Sequence, residues 1–568
     1  MKFNYLRRIR IISISVFGFA LILIGRLYIL QVVHSGLYKD KADRQYVSTA
    51  KGIFDRGVIF FQNKDGTLVS AATLESGFTV TVNPQVLKEP ETVYQKLNEI
   101  IPVAHDAFIA KAVKKNDSYE EVAQRVDTET GQKIDALNIP GLKVYKERWR
   151  FYPGGSSAAH IIGILGYKGD DFAGRYGLER QFEPMLKRTE GAYTNFFAQI
   201  FSDIKSGVSK TSSVEADVVT TIEPTTQSFL EGLLASTTEK WKSDMTGGII
   251  INPKTGEILA METYPTFDPN NFQKEKSVSI FGNPLVENVY ELGSIIKPLT
   301  ISAGIDTGVI TATSTFYDKG YVVVNNKKIS DFDEKERGMV SMQDVLSQSL
   351  NVGAAHVQSL LGNIRFTDYM YAFGLNEKTG IELPNEARNL VDNLKSSRDI
   401  EHATASFGQG IALTPISAVR ALSAVANGGM LVEPHIVKKI NYKLGFSTDT
   451  ATNNSRVVLK RETTDEVSRM LTYSVDHVLA GGTLRIPNYS IAAKTGTAQI
   501  PNLQSGGYYT DRFLHSFIGY FPSYDPKFFI FLYMVNPHGA RYGSETLTAP
   551  FMEMVKFLIN YYEVAPDR

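Results

Sequence analysis

Apolar residues fall in blocks whose spacing changes along the chain. Residues 11–25 form an uncharged run, and after Arg26 the apolar pattern resumes as Leu27-Tyr-Ile-Leu-Gln-Val-Val33. Built as a helix at about 1.5 Å per residue, residues 11–33 would measure about 34 Å, enough to cross the hydrocarbon of a bilayer. Gly77-Phe-Thr-Val-Thr-Val-Asn83 alternates with the period of a strand. Residues 91–101 and 119–137 read as short amphipathic helices. Two apolar runs, 247–252 and 257–261, are joined by Pro253-Lys-Thr-Gly256, a hairpin signature. Residues 515–521 and 528–535, joined by Pro522-Ser-Tyr-Asp-Pro526, are apolar without alternation, as in strands covered on both faces. A helix is predicted over 550–562. The two hairpins bracket a mostly helical stretch, which predicts one α/β domain whose sheet takes strands from both ends of the segment.

Charge orients these elements. Lys2, Arg7, Arg8 and Arg10 precede the first run, and Lys39, Asp40, Lys41, Asp43 and Arg44 follow it. Cations before the span and mixed charge after it put the N-terminus in the cytoplasm and the chain beyond residue 33 outside the cytoplasmic membrane. Arg26 can snorkel along its own stem to the interface. A cleaved signal peptide is the alternative, but no small-x-small cleavage site follows and the apolar pattern runs past the usual length.

Composition narrows the chemistry. The 568 residues exceed one hydrophobic core and suit roughly two to four domains. With 60 Lys and Arg against 60 Asp and Glu, no cationic excess exists to displace counterions, which argues against a nucleic-acid partner. Cysteine is absent, which excludes disulfides, Fe–S clusters, thiolate zinc sites and a cysteine nucleophile. The nine histidines form no His-Glu-x-x-His, and no glycine-rich phosphate loop is present, so neither a metal nor a cofactor is expected.

Three short motifs carry the candidate chemistry. Ser294-Ile-Ile-Lys297 follows Gly293 at an expected helix start, and Pro298 lies in the first turn, where a missing N–H costs little. A serine and a lysine three apart share one helix face, the geometry an amine needs to take a hydroxyl proton. Ser202-Asp203-Ile204-Lys205 fits the same pattern and reads as a surface pair. Ser349-Leu350-Asn351 sets a hydroxyl beside an amide, one to pass a proton and one to orient a substrate amide; its bland reading is a cap or a turn. Lys-Thr-Gly occurs three times. Lys254-Thr255-Gly256 is the hairpin turn, and Lys378-Thr379-Gly380 reads as a helix end. Only Lys494-Thr495-Gly496, followed by Thr497, has strand-like sequence on both sides. On an edge strand it would present a cation, a hydroxyl and a glycine that lets a ligand approach the backbone.

The order Ser-x-x-Lys, Ser-x-Asn, Lys-Thr-Gly within one domain is the signature of β-lactamases and penicillin-binding proteins. The chain resembles a class B penicillin-binding protein over nearly its whole length. Arg150-Phe-Tyr-Pro153 with Ala159-His160 and Gly163, then Gly177-Leu178-Glu179, look like pieces of the family's pedestal. Thr255-Gly-Glu-Ile-Leu-Ala-Met261, Gly408-Gln-Gly410 with Thr414-Pro415, and Gly482-Thr483 look like pieces of its transpeptidase domain. Ser406-Phe-Gly-Gln-Gly-Ile-Ala-Leu-Thr-Pro415 and Tyr542-Gly543-Ser544 make it most similar to the cell-division transpeptidase. Leu292 and Ala493 depart from the family's usual Pro and Gly at those places.

The resemblance implies a penicillin-binding transpeptidase fold of α/β class, an antiparallel sheet with helices on both faces plus a helical subdomain. An elongated α+β pedestal and one transmembrane helix would precede it. The expected division is 1–10 cytoplasmic tail, 11–33 anchor, 34–215 pedestal and 216–568 transpeptidase domain, with no glycosyltransferase domain. It also implies roles. Ser294 attacks a stem peptide ending in D-Ala-D-Ala, Lys297 is the base, Ser349 relays the proton and Asn351 holds the substrate amide. Lys494, Thr495 and Thr497 bind the terminal carboxylate beside Gly496, and the N–H groups of Ser294 and Thr497 form the oxyanion hole. β-Lactams would acylate Ser294. A membrane-embedded glycosyltransferase and other division proteins are the expected partners. Three alternatives stay open: an elongation-specific transpeptidase, a D,D-carboxypeptidase or β-lactamase-like hydrolase, and a β-lactam sensor.

Overall fold

The computed structural model describes residues 18–19, 54–169, 171–188, 215–443, 445–450 and 454–568. Among the described residues no helix is long and apolar enough to cross a membrane. The span expected at 11–33 lies outside them except for Gly18 and Phe19, as does the pair Ser202 and Lys205.

Residues 74–150 belong to the smaller of two compact units. Its elements are the second half of β1 (Leu68–Val82), α1 (Pro90–Asn98), α2 (His105–Ala112), β2 (Glu120–Val126), α3 (Thr128–Asp135) and the first nine residues of β3 (Leu142–Phe151). Val80, Val82, Leu97, Phe108 and Ile134 make its core. The helix expected at 119–137 is half wrong. Its first half is β2, antiparallel to residues 78–82, and only after the cap Asp127, which accepts from Thr130 N–H at 2.9 Å, does a helix begin. Glu120-Glu-Val-Ala-Gln-Arg-Val126 has helix-forming composition, and pairing with β1 overrides it.

The larger unit holds residues 57–73, 151–188 and the chain from 215 on. Its central sheet has five antiparallel strands in the order β6-β7-β8-β4-β5. In chain order the strands of this sheet and the principal helices near it are α4 (Pro224–Trp241), β4 (Met245–Ile251), β5 (Ile258–Tyr264), α5 (Lys297–Asp306), α6 (Asn351–Leu361), α7 (Arg461–His477), β6 (Ala492–Pro501), β7 (Tyr508–Phe521), β8 (Phe528–Val535) and α8 (Gly543–Tyr561). Both predicted hairpins form, β4–β5 and β7–β8, and β8 pairs with β4. The sheet is therefore closed from the two ends of the segment, as the pattern requires. Strand β8 shows why it lacks alternation. Phe528, Ile530, Leu532 and Met534 pack with Leu234, Phe551 and Leu558 of α4 and α8. Phe529, Phe531 and Tyr533 join the core shared by Leu299 of α5 and Met470 of α7. Each such side chain contributes about 1.5–3 kcal/mol by leaving water. Helix α8 starts seven residues before the expected 550 and runs through Pro550.

The segment 151–188 is fixed to β5 and to the residues that follow it by polar contacts. Asn270 takes both backbone groups of Tyr152, at 3.0 and 2.9 Å. His160 Nδ1 meets the Glu262 carboxylate of β5 at 2.5 Å, and its Nε2 meets the Ile280 carbonyl at 3.0 Å.

Candidate active site

Ser294 lies in a 3₁₀ turn, Gly293–Ile296, that runs directly into α5. In a 3₁₀ turn residues i and i+3 eclipse. Ser294 and Lys297 are so related, and the Lys297 N–H donates to the Ser294 carbonyl. The tighter turn replaces the expected α-helical start and keeps the two residues on one face. Pro298 takes the second position of α5, where it forfeits no hydrogen bond.

Four glycines bring distant backbones together around this turn. Gly293 has φ 65°, and a Cβ there would lie 2.7 Å from Thr497 O and 3.3 Å from Thr497 N. Its N–H donates to Gly408 O at 3.1 Å, and a Cβ on Gly408 would strike Gly293 O at 2.2 Å. A Cβ on Gly543 would strike Gly496 O at 2.3 Å. Side chains at these points would pry the Ser294 turn away from β6. The contact is what an oxyanion hole made of the Ser294 and Thr497 N–H groups requires.

The lysines meet on Ser349. Lys297 Nζ donates to the Ser349 carbonyl, to Asn351 Oδ1 at 2.8 Å and to Ser349 Oγ at 3.3 Å. Lys494 Nζ donates to Ser349 Oγ at 2.7 Å and to Thr495 O at 2.9 Å. Ser349 holds φ 60°, a left-handed conformation that costs a non-glycine residue about 1–3 kcal/mol. In this conformation its carbonyl meets Lys297 and its hydroxyl meets both amines.

Burial sets the protonation. Lys297 is pushed well below the usual lysine range, first by burial, then by the nearby Lys494, with Asp331 opposing. Burial pushes Lys494 down to about 7. Two amines sharing one serine cannot both hold protons cheaply. Lys297, which is pressed down by burial and by Lys494 together, is the amine that goes neutral first.

The strand wall is only partly as expected. Thr495 and Thr497 are half-buried on the same face of β6. Thr497 Oγ1 accepts from Gly543 N–H at 2.9 Å, which leaves its own proton to donate. Gly496 does not serve ligand approach: a Cβ there would meet Ser516 Oγ at 2.3 Å and Leu292 O at 2.7 Å. Its missing side chain instead makes room for the segment before Ser294, which Ser516 Oγ also grips through Leu292 O at 2.7 Å. Lys378-Thr379-Gly380 lies beyond a helix that ends at Ala372, with the Thr379 and Gly380 N–H groups on the Glu386 carboxylate.

Sequence reasoning missed Asp331. Its Oδ1 accepts from the N–H groups of Asn351 at 2.6 Å and Val352 at 3.0 Å, at the start of α6. No motif marks an aspartate eighteen positions before Ser349; the only available signal is an acidic residue directly after the apolar run 321–324 and its Asn325-Asn326 turn with the short return 327–330.

The family model of the penicillin-binding protein transpeptidase domain matches residues 246–555, and that of the penicillin-binding protein dimerisation domain matches 55–205. The chain is 30% identical over 515 residues to stage V sporulation protein D of Bacillus subtilis, covering 88% of this chain and 77% of that protein. It is 28% identical over 564 residues to peptidoglycan D,D-transpeptidase FtsI of Buchnera aphidicola (subsp. Schizaphis graminum), covering 97% and 94%. Among solved structures, penicillin-binding protein 3 of Mycobacterium tuberculosis complexed with aztreonam superposes with TM-score 0.68 at 22% identity, over 91% of this chain and 98% of that one. Penicillin-binding protein 2X of Streptococcus thermophilus superposes with TM-score 0.71 at 20% identity, over 89% and 80%. Both share the fold.

Proposed function

This chain belongs to the class B penicillin-binding proteins, and from that premise we propose how its residues carry the reaction. The protein is a peptidoglycan D,D-transpeptidase, a serine acyltransferase that serves cell division. The observation that supports the residue roles is the meeting of Lys297 and Lys494 on Ser349, with Asn351 Oδ1 accepting from Lys297 and the Ser294 turn pressed on Thr497.

Ser294 Oγ attacks the carbonyl of the penultimate D-Ala and passes its proton to neutral Lys297 Nζ. The Ser294 and Thr497 N–H groups hold the oxyanion, and Asn351 holds the substrate amide. The carbon–nitrogen bond breaks, and the departing D-Ala amine takes a proton through Ser349, leaving an acyl-serine ester. Lys494, Thr495 and Thr497 bind the terminal carboxylate by charge and two hydroxyls. An amine of a neighbouring stem peptide then attacks the ester, gives up a proton to the base, and forms the cross-link as Ser294 regains its hydroxyl. A β-lactam, which copies the D-Ala-D-Ala end, stops after acylation.

Residues 34–215 serve as the non-catalytic pedestal and 216–568 as the transpeptidase domain. Residues 11–33 anchor the chain once in the cytoplasmic membrane, with the site outside. Division partners, a membrane-embedded glycosyltransferase among them, dock on this anchor and pedestal; Gly18 and Gly25 suit close helix packing there. Labelling with fluorescent penicillin tests the nucleophile: Ser294→Ala abolishes labelling, and stoichiometric labelling of that variant overturns the assignment. Depletion of the protein yields filaments if it serves division and rounded cells if it serves elongation.

A further inference from the structure

Asp331 is 3% exposed and sits at the end of the short strand Lys327–Ser330, well apart from the three motifs in sequence. Its Oδ1 takes the first two N–H groups of α6, those of Asn351 and Val352. The adjacent Ser330 carbonyl takes Asn351 Nδ2 at 3.0 Å. Asn351 is thus held at its backbone and at its amide nitrogen, which aims its remaining oxygen at Lys297. Arg337 closes the cluster. Its Nη1 lies 3.9 Å from Asp331 Oδ2 and 3.9 Å from Asp318 Oδ2, and its Nη2 pairs with Asp333 at 3.0 Å. Its Nε donates to Gln348 Oε1 at 2.9 Å, so the same guanidinium grips the residue before Ser349. The left-handed Ser349 is therefore pinned from both sides, by Arg337 through Gln348 and by Asp331 through Asn351.

We propose that Asp331, countered by Arg337, is a positioning residue of the acylation reaction: its carboxylate holds the Ser349–Asn351 turn in register with Lys297 and Lys494. The proposal rests on the roles assigned above to those residues. The charged groups facing this cluster are Lys297, Lys494, Asp318, Asp333 and Arg337. Asp331 acts on Lys297 in two ways. It fixes the oxygens that Lys297 meets, and its negative charge, present above about pH 6 because burial and Asp318 raise its carboxyl to about 6, favours the ammonium form of Lys297, opposing burial and Lys494. Removing the charge while keeping an acceptor oxygen separates the two.

The test is the second-order rate of acylation of the full chain by fluorescent penicillin, followed across the acid limb and plateau of its pH profile. Asp331→Ala removes both the cap and the charge, and the plateau rate falls about 100-fold, the scale of a misplaced catalytic group. Asp331→Asn keeps an acceptor for the α6 N–H groups; its plateau falls less. Its acid limb moves to lower pH by about half a unit or more, because Lys297 loses a proton more easily without the facing carboxylate. A purely structural cap would leave that limb in place. Arg337→Gln, which loosens Gln348, lowers the plateau without moving the limb downward. An Asp331→Asn variant with the parental limb, or an Asp331→Ala variant within about twofold of the parent, overturns the proposal. Should Asp331→Ala fail to fold, the Asp331→Asn limb decides alone. Because the parent's labelling is defined by its loss in Ser294→Ala, an indifferent Asp331 series overturns the positioning role and leaves the nucleophile standing.

Discussion

The tripeptide Lys-Thr-Gly occupies two unlike places in one sheet. Lys254-Thr255-Gly256 turns the β4–β5 hairpin, while Lys494-Thr495-Gly496 runs inside edge strand β6. The first lysine stands in solvent and pairs with Asp525. The second is 4% exposed and points its amine at Ser349. Identical residues thus make a surface turn in one place and, in the other, a buried strand segment whose amine faces Ser349. The difference is burial, which lowers Lys494 toward neutrality and removes competing water.

The largest effect expected from this contrast is on acylation. Lys494→Ala removes the amine proposed to meet the ligand carboxylate and a hydrogen-bond partner of Ser349. The second-order acylation rate falls about 1,000-fold, in the range for loss of one preorganised electrostatic group. Lys254→Ala leaves it unchanged within about twofold, since an exposed ion pair is worth about 0–1 kcal/mol. Equal losses in the two variants would mean that position 494 acts through stability and that the contrast is empty.

How much of this was legible follows from where each signal lives. The hairpins at 247–261 and 515–535 announced themselves because unbroken apolar runs with a turn between them have few other uses. The Ser294, Ser349 and Lys494 motifs stood out because three short patterns follow one another in the order of a known family signature. Residues 120–126 were misread, since Glu, Ala, Gln and Arg favour a helix and only pairing with β1 makes them a strand. Asp331 and Arg337 were invisible because their work is done across the fold, on backbone N–H groups that any sequence possesses. The sharpest misjudgement was Gly496. Its place was right and its reason wrong, for the space it leaves is filled by Ser516 and Leu292 rather than by ligand. Contacts of a missing atom leave no trace in a sequence.

The two glycines sharpen the comparison next. Neither accepts a Cβ. Gly256 has φ 84°, and a Cβ there would strike Glu433 O at 2.2 Å. Gly496 lies in extended strand, where a Cβ would strike Ser516 Oγ and Leu292 O. Gly256→Ala therefore lowers stability by about 1–3 kcal/mol, the usual scale of local backbone strain, while the folded fraction acylates at the parental rate. Gly496→Ala forces the Leu292–Ser294 segment off β6, and acylation per folded molecule falls about 100-fold, as for a small misplacement of a nucleophile. Titrating active sites with penicillin alongside urea unfolding separates the two quantities. Loss of rate per folded molecule in Gly256→Ala would break the distinction.

The smallest effect concerns stability and pH. Lys494 titrates near 7 in the folded chain against an ordinary 10.5. Between those values the unfolded chain binds the proton and the folded chain does not, so unfolding takes up a proton and stability rises with pH. Below about pH 7 both states are protonated and the slope from this residue vanishes; above about 10.5 both are neutral and it vanishes again. Within the window one such group contributes about 1.4 kcal/mol per pH unit at most. Lys297, lowered by the same burial, contributes with the same sign. Replacing Lys494 by methionine keeps much of the volume and removes one of the two. Urea midpoints measured at steps through mildly alkaline pH then show a slope shallower by about 1 kcal/mol per pH unit than the parent. Lys254→Met leaves the parental slope, because an amine in solvent binds its proton alike in both states. A Lys494→Met slope equal to the parent's would mean that the buried amine keeps an ordinary affinity for its proton, and the contrast between the two tripeptides would then reduce to position alone.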